Sequence, residues 1–204
     1  MAKIACNRNV RGGFFSEQGK YGITTPPHPR ASSCHWRTNV LEAKLLPRVE
    51  DTLAQYNMNY MVLACTPELA DTAVFCEHYH VPLDQAANTI LVASRKVEPT
   101  QYAVCVVLGT TRLDVNQKVC ELLGVKRASF ADADTTLQRT GMLIGGVTAI
   151  GITDLPSYVD SAVMRQPKVV MGGGNRSSKL LLDPQELLKL PNVEVVEGLA
   201  RPRE

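Results

Sequence analysis

Residues 141–151 read Gly141-Met142-Leu143-Ile144-Gly145-Gly146-Val147-Thr148-Ala149-Ile150-Gly151, with four glycines among eleven residues. Glycine adopts positive φ without a steric penalty and leaves neighbouring amide groups uncovered by side chains. The apolar residues between the glycines anchor this segment to a core. Such a loop can present N–H donors to an oxyanion or a phosphate, or it can simply be a tight turn between packed elements. The rest of the chain bears on that choice.

A second glycine-rich element, Gly172-Gly173-Gly174-Asn175-Arg176, follows a strand-like run at 168–171. It leads into another strand and lacks the Gly-Lys-Ser/Thr ending of a nucleotide-binding loop, so nucleotide hydrolysis is not expected. A strand ending at Asp160 separates the two glycine loops, and Arg176 stands beside the second. Together they predict a site built mainly of backbone groups, able to polarise an ester carbonyl for attack by a positioned water.

Strand and helix patterns follow one another without strict alternation between residues 40 and 204. Strands are predicted at 60–65, 88–94, 102–108, 126–130, 157–160, 168–171, 179–182 and 193–196. Helices are predicted at 41–56 with a bend at Pro47, at 67–79, at 114–123, at 132–139 and after a capping box at 183–186. The runs at 88–94 and 102–108 are apolar on both faces and belong in the middle of a sheet. The class is therefore α+β with a mixed sheet.

Residues 1–39 differ in composition from the domain predicted at 40–204. They are rich in Gly, Pro, Ser and Arg, show no periodicity, and are expected to be disordered. Six basic residues stand against Glu17 in residues 1–40, although the whole chain carries a net charge of only +2. A basic arm that holds RNA is the functional alternative for this extension.

Composition and cysteine usage indicate a globular protein of the cytoplasm. The hydrophobic fraction is 45% and the charged fraction 21%. No apolar run reaches the length of a membrane span, and no secretory signal stands at the N-terminus. The six cysteines are scattered, without a C-x-x-C pair, which fits a reducing compartment.

The sequence gives little support for a metal site or for a nucleophilic side chain. His78 and His80 lie two residues apart at a helix end, and the pair Cys34-His35 has no partner at zinc-site spacing. No G-x-S-x-G motif occurs, so a serine nucleophile is not predicted. Neither a metal nor another cofactor is expected.

Several short motifs stand in the order found in one family. They are, along the chain, Asp71-Thr72-Ala73, Pro82-Leu83-Asp84, Asn88-Thr89-Ile90-Leu91-Val92, Leu113-Asp114-Val115-Asn116-Gln117-Lys118, Thr140-Gly141-Met142, the loop 145–151, Val159-Asp160 and the loop 172–176. Over about residues 41–200 the chain resembles the YbaK-like aminoacyl-tRNA deacylase family, which is related to the editing domain inserted in bacterial prolyl-tRNA synthetases.

The resemblance implies a curved mixed sheet of about six or seven strands flanked by helices. It also implies hydrolysis in trans of mischarged aminoacyl-tRNA, with an aminoacyl-tRNA synthetase as a candidate partner and no membrane association. The residues assigned to catalysis are Asn88, Gly146 and Thr148. The residues assigned to substrate binding are Gly145, Val147, Ala149, Gly151, Asp160, Gly173, Gly174, Asn175 and Arg176.

Two departures from the family keep a second function open. The best-known members carry a lysine where this chain has Asn88, and a proline where it has Ala149. A neutral Asn88 can still donate and accept hydrogen bonds. The alternative is therefore a catalytically inactive module that binds aminoacyl-tRNA or a small ligand. A local basic patch for that role would consist of Arg139, Arg165, Lys168, Arg176 and Lys179.

Overall fold

The computed structural model describes residues 43–203. The predictions for the extension 1–39 and for the first residues of the 41–56 helix therefore lie outside the described residues. The ten strands of the described part are β1 (Tyr60–Ala64), β2 (Ala87–Ser94), β3 (Tyr102–Leu108), β4 (Thr111–Leu113), β5 (Ala128–Phe130), β6 (Ser157–Asp160), β7 (Val169–Gly172), β8 (Ser178–Leu182), β9 (Val193–Val196) and β10 (Ala200–Pro202).

Short helices connect these strands. The α-helices are α1 (Pro47–Gln55), α2 (Thr72–Tyr79), α3 (Cys120–Leu123), α4 (Ala133–Thr140) and α5 (Ser161–Met164). Single 3₁₀ turns or helices occur at Pro67–Leu69, Leu83–Gln85 and Pro184–Lys189, and a π turn at Val115–Val119 leads into α3.

The strands form three sheets. A mixed five-stranded sheet has the order β5-β2-β3-β6-β9, in which β3, β6 and β9 are parallel neighbours and the remaining pairs are antiparallel. A three-stranded antiparallel sheet has the order β1-β8-β7, and β4 pairs with β10 as a separate ribbon. The α+β class and the mixed sheet are confirmed. The strands are divided among three sheets, where one sheet of about six or seven was expected.

Strand β3 forms the middle of the core. Val104 and Val106 point into a cluster on one face of the sheet, while Cys105 and Val107 point into a second cluster on the other face. All four are at most 1% exposed. Burial raises the pKa of the Cys105 thiol to about 12, so this cysteine acts as an apolar core residue. The prediction of a central strand, apolar on both faces, is confirmed.

The two larger sheets meet beside β2 and β7. Ala86, just before β2, forms a parallel bridge with Val170 of β7. A third core cluster, which includes Phe75 of α2, Ala86 and Val170, packs at this junction. The junction matters for function because it brings the start of β2, helix α2 and the second glycine loop together.

Two predicted helices begin later than expected. Residues 43–46 are not helical, and α1 starts with Pro47 at its first position, because a residue that precedes proline is driven out of the helical region. The helix expected from Pro67 is instead a 3₁₀ turn followed by α2. Asp71 holds the N-cap position of α2 but makes no cap hydrogen bond. Its carboxylate is paired with Arg176 instead.

Strands β4 and β10 were not predicted, and one predicted cap differs. Both strands are three residues long, and each is defined by its pairing with the other. At 183–186 Asp183 accepts a hydrogen bond from the Gln185 amide as expected. Glu186, however, does not reach back to close a capping box, because its carboxylate accepts from the backbone and side-chain nitrogens of Asn59. A 3₁₀ helix results.

Asp160 provides a test of how the C-terminal ribbon is held. It is only 4% exposed, and its carboxylate accepts from the amides of Ala162 at 2.8 Å and Ala200 at 2.9 Å. We expect Asp160→Ala to lower the free energy of unfolding by about 2–3 kcal/mol, because both amides lose a charged acceptor. Asp160→Asn keeps one acceptor oxygen and should lose less. Urea denaturation of both variants measures the effect, and an Ala variant as stable as the wild type would contradict it.

Candidate functional site

The two glycine loops are in direct backbone contact. The amide of Gly174 donates to the carbonyl oxygen of Gly146 at 2.8 Å. A Cβ atom on Gly146 would lie 2.3 Å from the Asn175 carbonyl oxygen, and one on Gly172 would lie 2.3 Å from the oxygens of Gly146 and Val147. Only glycine permits this approach, so the loops form one continuous wall.

Many backbone donors in the loops are already used. The amide of Gly146 donates to Leu143 at 2.9 Å, and the amide of Gly173 donates to Ser178 at 3.1 Å. Within the described part of the chain, the amides of Gly145 and Val147 have no hydrogen-bond acceptor. Gly145 and Val147 therefore keep a free amide donor, whereas Gly146 does not.

A cavity of about 280 Å³ lies at the junction of β2, α2, the first glycine loop and β7. Its volume suits a small ligand group. The lining residues are Asp71, Thr72, Phe75, Ala86, Ala87, Asn88, Thr89, Ile90, Ile144, Gly145, Val147, Val170, Met171, Gly172 and Lys179.

Polar side chains of β2 and α2 form one side of the cavity. The Thr72 hydroxyl donates a hydrogen bond to Oδ1 of Asn88, so the two side chains hold each other in place. The buried hydroxyl of Thr89 has no hydrogen-bond partner among residues 43–203. Buried polar groups are normally satisfied by protein or by ordered water. The Thr89 hydroxyl is therefore an exception in the wall of the cavity.

Lys179 is the feature of the cavity that sequence reasoning missed. It is 5% exposed, and its Nζ donates to the carbonyl oxygens of Ala70 at 2.6 Å and Gly145 at 2.7 Å. Nζ also lies 5.3 Å from the centre of the Phe75 ring. Burial lowers the pKa of Lys179 below the ordinary 10.5, partly offset by Cys65. An ammonium group has three N–H donors, and these two carbonyls use two of them.

Nothing in the local sequence marks this lysine, because Ser178 and Leu180, its buried neighbours in β8, point to the opposite face of the strand. The sequence places Lys179 in a local basic patch, but its ammonium group is buried beside the cavity.

Arg176 connects three segments around the cavity but is not one of the residues that line it. Its Nη1 lies 3.0 Å from Oδ1 of Asp71 and donates to the Ile144 carbonyl at 2.6 Å, while Nε donates to Pro67 at 3.0 Å. A Cβ on Gly145 would lie 2.4 Å from the same Nη1. Arg176 therefore holds the second loop, the start of α2 and the first loop in register.

The remaining site predictions fall into two groups. Asn88, Gly145 and Val147 line the cavity. The others lie around it and serve the framework: Gly146, Thr148, Ala149, Gly151, Asp160, Gly173, Gly174, Asn175 and Arg176. Thr148 and Ala149 are fully buried, and the Thr148 hydroxyl accepts from the Ile150 amide.

Asn175 organises the second loop from within. Its Nδ2 donates to the Lys44 carbonyl at 2.7 Å, and its Oδ1 accepts from the Ser177 amide at 2.9 Å. Gly151 and Gly174 give room for α1, since a Cβ at either would lie within 3.3 Å of Val49. We assign these residues to shaping the cavity wall.

Two further observations concern residues 43–203 alone. No group of three or more His, Cys, Asp or Glu side chains converges there in a way that could hold a metal ion. Nor does that part of the chain contain a helix long and apolar enough to cross a membrane.

The chain belongs to the aminoacyl-tRNA editing domain family, whose model matches residues 66–190. The matched region holds the cavity and both glycine loops, and it agrees with the YbaK-like resemblance. Membership in this family supports a role in tRNA editing.

Two solved structures have the same fold. One is the crystal structure of hypothetical protein APE2540, which is 22% identical, with a TM-score of 0.67 over 76% of this chain and 99% of the other. The second is a proposed trans-editing enzyme for prolyl tRNA synthetase, 24% identical, with a TM-score of 0.63 over 74% of this chain and 94% of the other.

Gly146→Ala tests the contact between the loops. We expect a loss of about 3 kcal/mol or more in the free energy of unfolding, since the new methyl group meets the Asn175 backbone and not a movable side chain. Gly198→Ala is the matched control. Gly198 has φ +68 but no atom within 4 Å, so the control should cost only the backbone strain of about 1–2 kcal/mol. Equal melting temperatures for the two variants would contradict the close approach.

Lys179→Met tests the buried ammonium group through the pH dependence of stability. Below its folded pKa, Lys179 is charged in both folded and unfolded states, so the cost of burying the charge is present in full. As the pH rises from that lowered pKa towards 10.5, the folded protein releases the proton first and the wild type gains stability relative to the Met variant. Urea denaturation between pH 7 and 10 measures the gap. A gap for Lys179→Met that stays constant over this range would contradict the shift.

Proposed function

We propose that this protein hydrolyses the ester of mischarged aminoacyl-tRNA in trans, with the aminoacyl group bound in the cavity between β2, α2 and the glycine loops. The observation that carries the proposal is the combination of groups in that cavity. Gly145 and Val147, whose amides have no acceptor within residues 43–203, and the buried Lys179 all line that cavity, in a domain of the editing family.

The free amides and Lys179 suit the charge that develops in ester hydrolysis. When water attacks the ester carbonyl, its oxygen becomes negative, and preorganised donors in a dry site stabilise that charge. The amides of Gly145 and Val147 serve as donors from the loop. The Lys179 ammonium group, held at Gly145, adds a positive charge to the same wall. This positive charge is supplied by β8. The position on β2 where the best-known family members carry a lysine is occupied here by the neutral Asn88.

Asn88 and Thr72 suit the attacking water. Thr72 fixes the side chain of Asn88, whose remaining hydrogen-bonding groups can hold a water for attack on the carbonyl carbon. The bond from that carbon to the ribose oxygen then breaks, the ribose oxygen takes up the proton that the water releases, and the free amino acid leaves.

The walls of the cavity favour a small, apolar amino acid. Ala86, Val147, Val170 and Met171 line it, and its volume is about 280 Å³. One methylene group changes binding by about 1–3 kcal/mol in such a pocket. We therefore assign size exclusion, with the position of the water, as the source of selectivity.

A panel of mischarged tRNAs tests the activity. The full chain is mixed with each tRNA, and the release of labelled amino acid is followed in a single turnover. We expect release for at least one small non-cognate amino acid. Saturable binding without release of any amino acid would favour the inactive binding module and would overturn the enzyme.

Lys179→Met tests the role of the ammonium group. We expect the hydrolysis rate to fall about 100-fold, which is typical for loss of one group that stabilises an oxyanion. Lys168→Met removes an exposed lysine that lines neither the cavity nor its rim, and it should leave the rate unchanged. A Lys179→Met variant that is folded and as active as the wild type would remove Lys179 from the reaction.

A further inference from the structure

A second, open groove of about 970 Å³ adjoins the candidate cavity. Asn88 and Ile90 line both. The far end of the groove is formed by the ribbon of β4 and β10.

Three arginines line the groove on that ribbon. Arg112 of β4 stands directly opposite Arg201 of β10 in the strand register. Arg203 lies just beyond the end of β10, and its amide donates to the Thr110 carbonyl at 3.3 Å. All three are exposed and line the groove.

This arrangement is electrostatically unfavourable unless an anion is bound. Like charges on directly opposed residues of two strands destabilise the pair. Only Arg201 has a carboxylate partner, Asp114, at 2.6 Å. Arg203 donates to the Thr111 carbonyl at 3.1 Å, and Arg112 has no partner among the residues that the structure describes. The groove thus offers more positive than negative charge.

An exposed aromatic ring also lines the groove. Phe130, the last residue of the edge strand β5, is 55% exposed. A ring of this kind, among polar groups and close to arginines, is the usual platform on which an unpaired base stacks. Arginines that track phosphates and an aromatic ring that stacks a base together favour a single-stranded nucleic acid over an acidic peptide.

We propose that this groove binds the single-stranded 3′-terminal nucleotides of tRNA, with phosphates on Arg112, Arg201 and Arg203 and a base on Phe130. The terminal nucleoside then passes Asn88 and presents its ester to the cavity. This inference rests on the proposed function for its orientation. Arg201 and Arg203 lie beyond residues 66–190, so they are features of this chain outside the region that the family model matches.

Binding of uncharged RNA tests the groove directly. The probe is an RNA hairpin with a four-nucleotide single-stranded 3′ end and no amino acid, and fluorescence anisotropy gives the affinity at several salt concentrations. We expect the double variant Arg112→Gln with Arg203→Gln to bind about tenfold or more weakly, with a salt dependence reduced by about 1–2 in slope. Arg95→Gln, an exposed arginine that does not line the groove, is the control and should bind as the wild type does.

A Phe130 variant and a second RNA hairpin separate base stacking from phosphate binding. Phe130→Ala should weaken binding about fivefold or more without changing the salt slope, because a base loses its stacking partner but no phosphate contact is lost. A blunt hairpin that lacks the four nucleotides should bind the wild type as weakly as the overhang hairpin binds the double variant. Equal binding of both hairpins, unchanged affinity in the double variant, or no RNA binding would overturn the inference.

The outcomes distinguish this inference from the proposed function. Arginine-dependent binding of the uncharged hairpin without hydrolysis of any ester would retain the groove and reject the enzyme. Hydrolysis of charged tRNA by wild type and by the double variant at equal kcat/KM, with equal hairpin affinity, would retain the enzyme and reject the groove. Circular dichroism melts of each variant verify that the fold is intact.

Discussion

Backbone packing between two glycine segments is the constraint on which the site depends. Gly146 and Gly172 bring main-chain atoms together at a distance that no side chain permits, and the Gly174 amide bonds across the contact. The Gly146 amide donates within its own loop to Leu143, and the amides of Gly145 and Val147 on either side have no acceptor within residues 43–203. Both of these residues line the cavity.

Positive charge is distributed unequally around this wall. The ammonium group of Lys179 is buried and donates to the Gly145 carbonyl of the first loop. Arg176 is instead paired with Asp71 and connects the segments around the cavity. The arginines of the β4–β10 ribbon are exposed and lie beyond Asn88. Charge that is buried near the cavity suits a transient anion, while charge that is exposed along the groove suits a polyanion. We therefore assign ester hydrolysis to the cavity and RNA binding to the groove.

The sequence predicted those parts of the fold that local patterns encode. The core strands β2 and β3 and the caps at Asp114 and Asp132 were found because apolar runs and capping residues are properties of neighbouring positions. The ribbon of β4 and β10 was missed because it exists only through a pairing across some ninety residues. Of the candidate site residues, Asn88, Gly145 and Val147 line the cavity. Lys179 did not stand out, because its importance comes from burial against Phe75 and the first loop.

A wall made of main chain is a poor place for natural variation, since almost any replacement at Gly146 or Gly172 collides with backbone. The opposite side of the pocket is made of side chains on β2, α2 and β7, where a replacement alters side-chain packing and not a contact between main chains. Divergent descendants of this domain would then retune which amino acid they accept through positions such as Ala86 and Val170. The main-chain groups proposed for hydrolysis would stay the same while the preferred amino acid changes.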